Sequence, residues 1–64
     1  MAVTRNYQAV FGSSSVDISQ KDYDAIRSGS AVKWYARETD GDDTGADAGV
    51  VLNTYAILAV RRKA

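Results

Sequence analysis

Apolar and polar residues alternate along several segments of this chain, and one helical stretch interrupts the alternation. Over residues 3–11, Val3, Tyr7, Ala9 and Phe11 share one parity, and Thr4, Asn6 and Gln8 share the other. Period two with one polar face predicts a half-buried strand. Arg5 breaks the apolar parity and marks the strand's frayed start. Gly12-Ser13-Ser14-Ser15 is a turn cluster. Val16-Asp17-Ile18 resumes the alternation, so the first two strands form a hairpin.

The period then becomes helical. Ser19 has the chemistry of an N-cap, with Asp22 three residues on as the second half of a variant capping box. Asp22 and Asp24 sit where the helix dipole favours acids, and Arg27 sits where it favours a base. Tyr23 and Ile26 share a face, with Ile18 as a staple before the cap. Gly29 supplies a left-handed stop. A helix is therefore expected over residues 20–28. It is too short to persist alone and must lie on a sheet.

Residues 31–38 alternate again. Val32, Trp34 and Ala36 face one way, and Lys33, Tyr35 and Arg37 face the other. The apolar set is expected to point inward, with Trp34 as the largest contributor to the core. Residues 39–49 hold four aspartates and three glycines and predict a flexible acidic loop. Val50-Val51-Leu52 reads as strand, Asn53-Thr54-Tyr55 as a turn or one tight helical turn, and residues 56–60 as a continuously apolar strand before Arg61-Arg62-Lys63. The order β-β-α-β-β-β gives an α+β class, one domain over residues 1–64, with a mainly antiparallel sheet and the helix on one face.

A strand apolar at every position needs cover on both faces, and one short helix covers one. A second copy of the chain is the expected second cover. Size points the same way. A chain of 64 residues supports a marginal core. It has no Cys for disulfides and no His or Cys for structural zinc.

Composition removes most chemistry. The absence of His and Cys takes away the usual proton shuttle, thiol nucleophile and soft metal ligand. Ser13, Ser14 and Ser15 lack an activating base, and no Walker spacing accompanies the glycines. No catalytic residue, cofactor or metal site is expected. The segment Asp40-Gly41-Asp42-Asp43-Thr44-Gly45 echoes the start of a calcium loop, but its twelfth position is Val51 where a bidentate Glu is required. Basic and acidic residues number eight each, so no net field steers the chain to nucleic acid or a membrane. Met1-Ala2-Val3-Thr4-Arg5 lacks a signal peptide's features, and no apolar run approaches a membrane span. A cytoplasmic protein is expected.

Two contact surfaces remain. Tyr is enriched at interfaces, which nominates Tyr35 and Tyr55, with Leu58 and Val60 of the apolar strand, as partner-binding residues. Lys33, Arg37, Arg61, Arg62 and Lys63 would form a basic, tyrosine-bearing sheet face for nucleic acid if the first, third and last strands were neighbours.

The layout also carries a resemblance. Ser19, Tyr23, Ile26, Ser28-Gly29, Leu52-Asn53 and Ile57 resemble, in kind and order, a pattern in short accessory proteins of prophages and Gram-positive bacteria. The resemblance implies a mobile-element accessory role and transfers no active site. The Asp-rich loop is not part of that pattern.

Overall fold

The computed structural model describes residues 3–39, 45 and 48–63. Its elements follow the expected order: β1 (Tyr7–Phe11), β2 (Ser14–Ile18), α1 (Gln20–Arg27), β3 (Trp34–Ala36), β4 (Val51–Asn53), a 3-10 turn (Thr54–Ala56) and β5 (Ala59–Arg62). The fold is α+β and its strand pairs are antiparallel, but they form two sheets. One has the order β2-β1-β5, and the other is the ribbon β3-β4. The third strand therefore does not neighbour the first or the last.

Local chemistry explains the boundaries. The β1–β2 hairpin turns on Gly12 and Ser13, with Phe11 opposite Ser14, so Ser14 and Ser15 belong to strand and not to turn. Ser19 caps α1 by accepting the backbone N–H of Asp22 at 3.2 Å. Ser28 closes the helix and Gly29 follows at φ +79°, the left-handed geometry glycine adopts without a Cβ clash. Asn53 caps the 3-10 turn through its side-chain oxygen, which accepts the Tyr55 N–H at 3.1 Å.

The core is small. Among the described residues, Ala9, Ile18 and Leu52 are the buried apolar side chains, with Tyr7, Val16, Tyr23, Ile26, Ile57 and Val60 packed partly around them. The register puts Tyr7 opposite Ile18 and Arg62, and Ala9 opposite Val16 and Val60, so the three-stranded sheet presents one apolar face to α1. Tyr7 and Tyr23 stack across that seam with ring centroids 4.4 Å apart.

Three expectations are corrected. Trp34 is not in the core: it is 59% exposed, whereas Arg37 on the supposedly outer parity is only 4% exposed. The ribbon is turned over because its polar tips find partners inside. Tyr35 and Arg37 reach acceptors on α1 and β2, and Leu52 opposite Tyr35 brings the apolar area. Residues 56–60 are not one strand. The 3-10 turn takes Ala56, Ile57 and Val60 pack against the core, and Leu58 is 73% exposed. The capping box is one-sided, since the Asp22 carboxylate turns to β3 instead of back to Ser19. The acidic-loop reading falls mostly on residues 40–44, 46 and 47, which lie outside the described residues.

Candidate functional site

The β3–β4 ribbon has two faces of opposite character. Its pairing sets Trp34 opposite Asn53, Tyr35 opposite Leu52 and Ala36 opposite Val51. Since side chains alternate along a strand, Tyr35 and Leu52 point one way, and Trp34, Ala36, Val51 and Asn53 point the other.

The inner face is held mainly by polar bonds. Asp22 is fully buried. Its Oδ1 accepts the Tyr35 hydroxyl at 2.6 Å and its Oδ2 accepts the Glu38 N–H at 2.8 Å. Ser19 Oγ donates to Glu38 Oε2 at 2.8 Å, Arg5 donates to the Glu38 carbonyl at 2.9 Å, and Arg37 donates to the Asp17 carbonyl at 3.4 Å. A buried carboxylate is tolerated when donors satisfy both oxygens. Burial, then the bond to Asp22, pushes the Tyr35 hydroxyl pKa up to about 12. Tyr35 is therefore a neutral donor at any ordinary pH, committed to holding the ribbon on α1.

The outer face is apolar and open. Trp34 and Val51 are 59% and 57% exposed, Val32 ahead of the strand is 69% exposed, and Tyr55 beyond β4 is 80% exposed. Tyr55 lies beside the ribbon's end: the Thr54 N–H donates to the Lys33 carbonyl at 2.9 Å, and the Lys33 ammonium sits 5.8 Å from the Tyr55 ring centroid.

The structure therefore splits the nominated partner residues. Tyr55 and Leu58 are exposed, Val60 is packed on the core, and the Tyr35 hydroxyl is tied to Asp22. The basic set is split too. Lys33 lies by the ribbon, Arg37 is buried, and Arg61, Arg62 and Lys63 lie on or beside β5 in the other sheet. Sequence reasoning missed Trp34, Val32 and Val51 as surface residues. No signal in residues 31–38 reveals it: the tips of Tyr35 and Arg37 turn inward to the Asp22 carboxylate and the Asp17 carbonyl, acceptors that only the fold brings near.

A second surface is the outer face of the three-stranded sheet. Asp17, Gln8 and Arg61 stand in one cross-strand row. Gln8 donates to Asp17 Oδ1 at 3.3 Å, Arg61 Nε donates to Gln8 Oε1 at 3.3 Å, and Lys63 Nζ donates to Asp17 Oδ2 at 2.9 Å. The Lys63 bond, the largest influence on Asp17, holds its carboxyl below the usual aspartate range. Gln8, Arg61, Arg62 and Lys63 line a cleft of about 470 Å³ on this side. Among the described residues no group of three or more His, Cys, Asp or Glu is placed to hold a metal ion. No helix among them is long and apolar enough to cross a membrane.

Comparison with protein-family models, curated proteins and solved structures finds no match. The resemblance to prophage accessory proteins thus rests on the residue layout alone.

Proposed function

We propose that this chain is a non-enzymatic, self-associating contact module whose copies cover each other's β3–β4 outer face. The observation that carries the reading is the exposure of Trp34. The chain's one tryptophan stands in solvent beside Val32 and Val51 while the wholly buried apolar set is Ala9, Ile18 and Leu52 among the described residues. Trp34, Val32, Val51 and Tyr55 together offer on the order of 500 Å² of apolar side chain. That is at the upper end of what a monomer leaves open, ~300–600 Å². Adding Ala36, Asn53 and the Lys33 stem brings it toward the ~800 Å² per partner of a standard interface.

Two features favour a second copy as occupant. The paired positions of the ribbon face carry no charge, so two such faces meet without repulsion or stranded ions. The same face also holds a large knob, Trp34, and a low shelf, Ala36 with Val51, as a two-fold symmetric contact requires. The lack of His and Cys supports contact over catalysis.

Sedimentation equilibrium tests this. The wild-type chain is expected at twice its monomer mass, and Trp34→Ser at monomer mass with an unchanged circular dichroism spectrum. Dimerisation should persist as salt rises, because apolar burial is not screened. A wild-type monomer at about 1 mM rejects the proposal. Association abolished by salt would indicate an ionic contact instead.

A further inference from the structure

We propose that the outer face of the three-stranded sheet is a binding site for a phosphate ester, centred on Arg61. This surface is separate from the Trp34 face and does not depend on self-association.

Arg61 is anchored and still has donors to spare. Its Nε donates to Gln8 Oε1, and Gln8 is in turn fixed by its bond to Asp17. A guanidinium carries five N–H donors in a rigid fork, and among the described residues no acceptor takes the Nη groups of Arg61. The acid of the row, Asp17, is bonded instead to Gln8 and Lys63, one on each oxygen. The row thus orients the fork through Gln8 and leaves its outer N–H groups open. A fork of this kind matches two oxygens of a phosphate.

Arg61 also borders two clefts. On one side is the cleft lined by Gln8, Arg61, Arg62 and Lys63, whose charged side chains are all cationic. On the other is a cleft of about 220 Å³ lined by Val10, Gly12, Ser13, Ser14, Ser15 and Arg61. The first suits the anion. The second is bordered by exposed serines, with Ser15 directly across from Val10 on this face, which suits a polar, hydroxyl-bearing body of modest size. A phosphate joined to a sugar has both halves, whether it is a small sugar phosphate or the end of a nucleic-acid strand.

Amide NMR titration of the full chain at neutral pH tests this, first with inorganic phosphate, then with a sugar phosphate and an end-phosphorylated oligonucleotide. Saturable shifts are expected at Gln8, Arg61 and Ser13 to Ser15, with dissociation constants of order 1 mM. Arg61→Gln should weaken binding about tenfold, the value of one charge-assisted bond. Lys21→Gln, an equal loss of charge on the exposed side of α1, should leave it unchanged. Gln8→Ala, which frees the fork, should weaken binding several-fold without touching a charge. Tighter binding of the sugar phosphate points to a small ester, and tighter binding of the oligonucleotide to a strand end; either supports the site. Absence of saturable shifts up to about 10 mM, equal losses in Arg61→Gln and Lys21→Gln, or equal affinity for inorganic phosphate and both esters overturns it.

Discussion

The two faces of the β3–β4 ribbon sit back to back and obey opposite rules. The inner face carries Tyr35 beside a buried carboxylate, with Arg37 just beyond the strand, and Leu52 is its one fully buried apolar anchor. The outer face carries Trp34, Ala36 and Val51 and is open. Hydrophobicity alone would have turned the ribbon the other way. Its orientation shows that donors and acceptors already waiting at the start of α1 decide which face goes in. A polar clamp closed on Asp22 leaves the apolar side chains of the other face free for another use.

The contrast can be broken from the inner side first. Leu52→Ala should cost ~2–5 kcal/mol, the usual price of emptying a buried leucine site, which equals the whole stability of so small a domain. Thermal unfolding should show loss of the cooperative transition. Asp22→Ala should cost ~2–4 kcal/mol, because it removes two bonds to a charged acceptor and strands the Tyr35 hydroxyl and the Glu38 N–H. If chemical denaturation finds Asp22→Ala neutral, the clamp is not what holds the ribbon.

Tyr35→Phe sharpens the same point at about 1–2 kcal/mol, and pH gives it a signature. The folded state raises the Tyr35 pKa from 10.0 to about 12. Folding thus favours the protonated form. That contribution is fully present below pH ~10 and is lost as pH rises toward ~12. Wild-type stability should decline across that window more steeply than that of Tyr35→Phe. Parallel curves would show that the hydroxyl is not tied to Asp22.

On the outer side the expected effect on folding is smallest. Trp34→Ser should change the monomer's stability by no more than ~0.5 kcal/mol, as for an ordinary surface position, while abolishing association. A buried tryptophan would cost several times that.

Most local structure was legible in the sequence. Alternation located β1, β2 and β3, Ser19 and Gly29 located the ends of the helix, and Asn53 marked the tight turn, while the last strand was misplaced onto residues 56–60. The α+β class followed from the order. What was not legible was long-range. Nothing in residues 31–38 says that β3 joins β4 alone, or that Asp22, read as a capping residue, would aim its carboxylate at Tyr35. Apolar parity assigned Trp34 inward because alternation reports two faces without saying which one meets the core. The basic residues failed as a single surface for the same reason: their grouping depended on a strand order that pairing, not pattern, determines. Tyr55 and Leu58 were nominated and are exposed, but Trp34 was assigned to the wrong side.

Because the chain has one tryptophan, its fluorescence reports on the outer face directly. A dimer closed over Trp34 should show a blue shift and loss of acrylamide quenching as concentration rises through the dimerisation range, with a solvent-exposed, quenchable signal in dilute solution. A spectrum that is already blue-shifted and protected at the lowest concentration in a monomer, or one that stays exposed at every concentration, would contradict it.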